Sequence, residues 1–231
     1  MTATAEAPVL TIDGPSGSGK GTIARGVAQT LGWHLLDSGA LYRLVALSAV
    51  RQGIPDDANS ALGELAGNMP VRFDSNEDGE ERIWLGSEDV TREIRTEDCG
   101  RGASRVAVLP AVRQGLVGLQ ESFRQMPGLV ADGRDMGTRI FPQAQVKVFL
   151  TATPVERAKR RYKQLKDKGI DVSLPALSRD IEARDRRDSE RSIDPLRPAD
   201  DARVLDSSKL TIEEVTQIVL EWVRERCKES Q

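Results

Sequence analysis

Five short apolar runs punctuate the chain, at residues 9–13 (VLTID), 33–37 (WHLLD), 128–132 (GLVAD), 146–151 (VKVFLT) and 202–206 (ARVLD). Each is too short for a helix, and each is followed by a turn signal and then by apolar residues at helical spacing. That alternation is the mark of βα units whose strands are buried on both faces. It predicts an α/β protein with a five-stranded parallel sheet between two layers of helices. About 90 residues separate the second run from the third, far more than a crossover helix needs, so an insert is expected there.

Inside that gap the period changes. PVRFDS (70–75) and RIWLGS (82–87) flank the turn-rich NEDGEE (76–81), which predicts a small antiparallel hairpin, with Val90 opening a further short extended piece. Helical spacing resumes over 96–108 and, beyond Pro110, over 112–124; proline suits a helix start. The expected division is a core of 1–60 and 106–231 with an insert of 61–105. At the far end Ile212, Val215, Val219, Trp222 and Val223 share a helical spacing over 212–228, which predicts a core-packing helix.

Composition narrows the classes. With 231 residues, 39% hydrophobic and 30% charged, the chain has the apolar content for a core and is neither disordered nor membrane-embedded by composition. Its 33 Lys and Arg against 36 Asp and Glu leave a net charge of −3, which argues against coating nucleic acid or an anionic membrane. No stretch of about 18 apolar residues occurs, and MTATAEAPVL lacks the basic and apolar regions of an export signal. A cytoplasmic protein is expected, without nucleic-acid or membrane partners. Cys99 and Cys227 stand far apart with no histidine-rich surroundings, so neither a disulfide framework nor a zinc site is indicated. The exception to the acidic balance is 154–191, with 12 Lys and Arg against 8 Asp and Glu.

The first run leads into Gly14, Pro15, Ser16, Gly17, Ser18, Gly19, Lys20, Gly21 and Thr22, followed by an amphipathic stretch ending at Gly32. Strand, glycine-rich loop, lysine and helix form a phosphate loop: backbone N–H groups converge on phosphate oxygens, the helix N-terminus adds its dipole, and Lys20 supplies charge for the β and γ phosphates. The hydroxyl residue that usually follows the lysine is replaced by Gly21, with Thr22 one place later. Thr22 is therefore one candidate for Mg²⁺, and Asp132, ending the third run, is the other; a loop-tying aspartate is the structural alternative for Asp132. The motifs NKxD and DxxG of regulatory GTPases are absent from suitable places, and 4% aromatic residues weaken a DNA-dependent ATPase.

Acceptor chemistry is expected where the strands end. Asp37 ends the second run, with Ser38, Tyr42 and Arg43 after it, and Asp132 ends the third, with Arg134 and Asp135 after it. Arg184, Asp188 and Arg191 lie at i, i+4 and i+7, so one helix face could grip phosphate with two guanidinium forks and accept from sugar hydroxyls with the carboxylate; a solvated ion-paired face is the alternative. Taken singly, most of Arg157, Lys159, Arg160, Arg161 and Lys163 are expected on a solvated face, but as a cluster the basic segment 154–169 is expected to be a helical lid that excludes water. His34 is expected to be a packed strand residue without a catalytic role.

GPSGSGKGT (14–22), LLDSGALYR (35–43), ADGRDMGT (131–138) and RDRRDSER (184–191) together resemble the bacterial cytidylate kinases, in order and nearly end to end. The resemblance implies a phosphate-loop core, a monophosphate-binding insert and a short lid. The expected reaction is in-line transfer of the ATP γ-phosphoryl group to CMP or dCMP with Mg²⁺, and a monomer is the expected state. The resemblance assigns Arg43, Arg134 and Arg191 to the acceptor phosphate, Ser38, Arg184 and Asp188 to the sugar, and Ser104, Arg113 and Asp135 to the base, with Tyr42 beside them. It makes Lys20, Arg134, Arg157 and Arg191 the charges that act on the transferred group. Asp135 and Ser104 suit the N4 amino donor of cytosine, and Arg113 suits N3 and O2, whereas uracil would leave such groups mispaired. The rival readings are another phosphate-loop kinase, acting on shikimate or dephospho-coenzyme A, and an ATP-binding regulatory module.

Overall fold

Val9–Asp13 forms β1, the central strand of the molecule, and all five of its residues are buried. It pairs in parallel with β6 (Leu129–Gly133) on one side and β7 (Val146–Thr151) on the other. β2 (His34–Asp37) lies outside β6, and β8 (Arg203–Asp206) lies outside β7, giving the order β2-β6-β1-β7-β8. The computed structural model describes residues 6–75, 81–167, 169, 171–191 and 193–229. They divide into two compact units, one of Met1–Asp37 with Phe123–Gln231 and one of Ser38–Ser122.

The first unit holds the parallel sheet. Leu10 and Ile12 alternate onto one face of β1, where Val130 of β6 and Val146, Val148 and Leu150 of β7 join them. α1 (Lys20–Leu31) covers that face with Ile23, Ala24, Val27 and Ala28, and α8 (Ile212–Glu229) with Val215, Val219, Leu220 and Val223. Each valine, leucine or isoleucine among them, fully buried, contributes roughly 1.5–3 kcal/mol. Trp33 and Trp222 pack at the margin of this core; Trp33 lies where a Cβ on Gly128 would stand 2.4 Å from its ring, and the Arg203 guanidinium sits 5.2 Å over the Trp222 ring. α6 (Pro154–Asp167) and α7 (Leu174–Glu190) pack on each other.

The five-stranded parallel α/β reading holds, and its exceptions are at the rims. β2 and β8 are not doubly buried: His34, Arg203, Val204 and Asp206 are exposed, because an edge strand has one flank without a partner. His34 is thus an exposed residue whose ring lies 3.0 Å from the Met126 carbonyl oxygen, not a packed one. Ile212 is 55% exposed at the first turn of α8, ahead of where that helix meets the sheet.

The second unit opens with α2 (Ser38–Gln52) and α3 (Asn59–Gly67). β3 (Val71–Ser75) pairs with β4 (Glu81–Leu85), which pairs with β5 (Glu88–Asp89), all antiparallel. The turn expected between the first two strands falls largely outside the described residues. Val90 does not open a strand: it follows β5, is fully buried, and donates its N–H to the Ile83 carbonyl. Trp84 on β4 lies under the Arg72 guanidinium at 4.8 Å. α4 (Glu97–Val106) starts at Thr96, whose side-chain oxygen accepts the Cys99 N–H, and α5 (Pro110–Ser122) starts at the proline.

This unit extends beyond the 61–105 insert expected from the hairpin, because α2 packs on α4 and α5 on α3. The α3–α5 pairing depends on missing side chains. A Cβ on Gly115 would stand 2.5 Å from the Gly63 carbonyl oxygen, and one on Gly63 would stand 2.6 Å from Ala111 Cβ. Leu41, Leu44, Leu62, Ile83, Ile94, Val106, Val112 and Leu116 complete a core of the unit's own. Among the described residues no helix is long and apolar enough to cross a membrane.

Candidate active site

The phosphate loop leaves the carboxyl end of β1, in the crevice where parallel sheets take their ligands. Gly14 passes so close to β7 that a Cβ there would lie 2.0 Å from the Leu150 carbonyl oxygen. Gly19 caps α1 with φ 96°, a left-handed conformation that favours glycine. Lys20 then begins the helix, 5% exposed, with its Nζ donating to the Pro15 carbonyl at 3.0 Å. Burial pushes its ammonium below the usual lysine range; Arg134 pushes the same way and Asp132 opposes.

Two arginines of α6 hold the loop from outside. Arg157, 3% exposed, donates to the carbonyls of Ala152 (3.0 Å) and Ser16 (2.9 Å) and grips Asp185 of α7 with both terminal nitrogens. Arg160 donates to the carbonyls of Ser18 (3.2 Å) and Ser207 (2.6 Å) and to Glu156. In a trans peptide the C=O and the following N–H point in opposite directions. Drawing the Ser16 and Ser18 carbonyls toward the arginines therefore turns the N–H groups of Gly17 and Gly19 the other way.

The acidic side of the loop begins at Asp132, on β6. Its Oδ2 lies 3.3 Å from where Gly21 would carry a Cβ, which is a local reason for glycine at the position that often holds a hydroxyl residue. Burial raises the Asp132 carboxyl above the usual range, the Asp37 carboxylate adds to the rise, and Lys20 counteracts it. Thr22 is exposed on the first turn of α1. Among the described residues no three His, Cys, Asp or Glu side chains gather into a metal cage. The Asp132 carboxylate beside the phosphate loop is an oxygen donor of the kind Mg²⁺ takes together with phosphate oxygens and water.

Beyond Asp132 the chain carries Arg134 and Asp135. Arg134 Nε donates to Asp188 Oδ2 at 3.0 Å, and Arg191 lies 3.6 Å from Asp135, both side chains about 5% exposed or less. Burial would raise the Asp188 carboxyl, but Arg134, Arg184 and Arg191 outweigh it and hold the group below its usual range. The three residues expected on one helix face are divided: Arg184 and Asp188 ride on α7, while Arg191 sits just past its end in extended backbone. The chain turns there, and Arg191 reaches the Asp194 carbonyl as well as Asp135.

The second unit brings together another part of the expected set. Arg113 is 2% exposed, and its guanidinium donates to the Tyr42 hydroxyl and to the Ala107 carbonyl, each at 3.3 Å. Ser104 is buried on α4, and Ser38 is buried at the start of α2. Arg43 donates to the carbonyls of Ile94 (2.7 Å) and Thr96 (3.0 Å). Its guanidinium occupies the space a side chain on Gly100 would need, 2.8 Å from that Cβ position.

Residues 10–225 match the profile of the family described as cytidylate kinase. The chain belongs to the cytidylate kinase family. It is 55% identical to the cytidylate kinase of Nitrosococcus oceani, covering 94% of this chain and 96% of that protein. Identity is 56% to the cytidylate kinase of Methylococcus capsulatus, with coverage of 94% and 97%, and 55% to that of Pseudomonas putida, with 95% and 97%.

Several residues of this cytidylate kinase family site escape a sequence reading. Ser207 stands in no recognisable motif, Asp185 lies inside RDRRDSER and Asp13 just before the phosphate loop without either being singled out, and Arg160 is one charge among many in a basic run. A signal was available for Asp13, which ends an apolar run just as Asp37 and Asp132 do. In the cytidylate kinase fold Asp13 is 5% exposed, and its carboxylate accepts the backbone N–H groups of Met136 and Gly137.

Proposed function

We propose that the protein transfers the γ-phosphoryl group of ATP to the 5′-phosphate of CMP, and of dCMP, as a cytoplasmic monomer acting on free nucleotides. The observation that carries this reading is the meeting, in a member of the cytidylate kinase family, of Lys20 and the loop with two arginines paired to acidic partners, Arg134 with Asp188 and Arg191 with Asp135.

In this reading the loop N–H groups and Lys20 bind the β and γ phosphates, and Arg157 supports that binding through the Ser16 carbonyl. The acceptor phosphate is already an anionic nucleophile, so no side chain need remove a proton from it. Arg43, Arg134 and Arg191 hold that phosphate, and Lys20 with Arg134 and Arg191 stabilises the charge spread over the transferred group. Ser38, Tyr42, Arg184 and Asp188 surround the nucleoside. Asp135, beside Arg191, accepts from the cytosine amino group together with Ser104, and Arg113 donates to the ring acceptors. Asp132 and Thr22 are the residues that would hold Mg²⁺, which when bound neutralises the ATP phosphates.

The test is to supply Mg²⁺-ATP with CMP, dCMP, UMP, AMP or shikimate in turn and to measure ADP and the phosphorylated product. CDP and dCDP are expected far ahead of the others. Faster transfer to a different acceptor would overturn the assignments of Ser104, Arg113 and Asp135, and ATP binding without ADP would overturn the kinase reading.

A further inference from the structure

Asp13 is the last residue of β1 and the one immediately before Gly14. Its Oδ1 accepts the Met136 N–H at 2.9 Å, and its Oδ2 accepts the Gly137 N–H at 2.8 Å. The sheet ladder between β1 and β6 ends at the Asp13–Gly133 pair, so residues 134–137 leave the sheet just where this carboxylate reaches them. Gly137 permits the approach: a Cβ there would lie 2.8 Å from Thr11 Oγ1, 3.2 Å from Lys147 Cδ and 3.3 Å from Asp13 Oδ2.

The position is costly for a carboxylate. Burial pushes the Asp13 carboxyl up to about 7, with Asp135 adding to the rise, while the two backbone N–H groups and Lys20 work against it. An asparagine would fill the space but would offer one acceptor and aim its NH₂ at the other N–H, leaving donors opposed in a buried site.

We infer that Asp13 is a positioning residue that ties the start of the phosphate loop to the Arg134–Asp135 segment, so that the donor side and the acceptor side keep one register. One carboxylate spans both: covalently it fixes Gly14, and through two hydrogen bonds it fixes the residues just after Asp135. The inference rests on the acceptor reading of Arg134 and Asp135 given above. Loss of the tie would let Arg134 and Asp135 drift while leaving the loop's own N–H groups and Lys20 in place. An ångström of misplacement at a transfer site costs on the order of 100-fold.

The experiment compares wild type with Asp13→Asn and, as an independent disturbance of the same contact, Gly137→Ala. Steady-state kinetics with CMP and UMP are set beside titration calorimetry of ATP alone and thermal melting. Expected for a variant that folds is a kcat/KM for CMP reduced by roughly 10–100-fold, carried partly by a raised KM for CMP. The preference for CMP over UMP should narrow, and the ATP dissociation constant should stay within about twofold. Unchanged CMP kinetics and preference in a folded variant overturn the inference, as does a parallel loss of ATP and CMP affinity. Absence of CDP formation by the wild type would overturn the acceptor reading itself, which separates the two failures. If Asp13→Asn does not fold, Gly137→Ala alone decides by the same criteria.

Discussion

Lys20 shows how a side chain is made ready at a cost to its own charge. Burial and Arg134 both lower its proton affinity, and Asp132 only partly compensates. ATP phosphates arriving beside it reverse that balance, so binding at mildly alkaline pH should draw in protons. Calorimetry in two buffers of different ionisation enthalpy reads the uptake directly, and identical heats would contradict it. Lys20→Met should retain the fold and lose transfer by at least about 100-fold, as removal of a single preorganised charge donor does elsewhere; a full rate in the variant counts against the assignment. Asp13 makes an opposite and testable demand on pH. Its folded value near 7 exceeds the ordinary 3.8, so between those values the folded state holds a proton that the unfolded state has released. Stability from this group is present at low pH and fades as pH rises through about 7, by on the order of 2–3 kcal/mol between pH 5 and pH 8. Urea unfolding across that range should show a fall in wild type that is absent in Asp13→Asn. The phosphate loop was legible in sequence because the spacing of its glycines and lysine marks it. Asp13 was not: its partners are backbone groups more than 120 residues away, and no local pattern announces them.

The helices of the second unit meet backbone to backbone. Gly63 and Gly115 let α3 and α5 approach until a methyl group cannot be inserted, as small residues do at close helix crossings. Gly115→Ala should therefore destabilise by roughly 1–3 kcal/mol despite a better helix propensity, seen as a lower melting temperature with no loss at Gly118→Ala, where nothing lies within 4 Å. A gain in stability at Gly115 would show that the helices can part freely. Elements were read most accurately in the middle of the sheet: β1 and β7 fall on the residues their apolar runs mark. The misreadings share a cause. Val90 is a buried apolar residue in irregular backbone, Arg191 keeps a helical spacing after the helix has ended, and β2 and β8 are apolar enough to look enclosed while each lies on a rim. Period and composition report what a side chain prefers, whereas these outcomes depend on neighbours that only the assembled sheet supplies.

At the scale of the whole chain, a continuous segment, Ser38–Ser122, is set into a unit that is itself split in sequence. Each has its own buried core, so each can open cooperatively. Native-state hydrogen exchange should sort the amides of α2 to α5 into one set and those of β1, β6 and β7 into another, with separate denaturant dependences; one common opening for both would contradict this. The long gap between apolar runs made the inserted unit legible, but its bounds were drawn too narrowly. α2 is buried nearly all round and α5 has the pattern of any sheet-covering helix, and their partners α4 and α3 are not visible from one dimension. The same division gives the protein a ready optical property. Of its three tryptophans, Trp33 and Trp222 belong to the sheet-bearing unit, and Trp84, under Arg72, belongs to the other. Replacing the first two by phenylalanine leaves a single indole whose emission colour follows one unit alone, and a protein that keeps only Trp33 and Trp222 follows its counterpart, so the chain carries its own pair of intrinsic dyes.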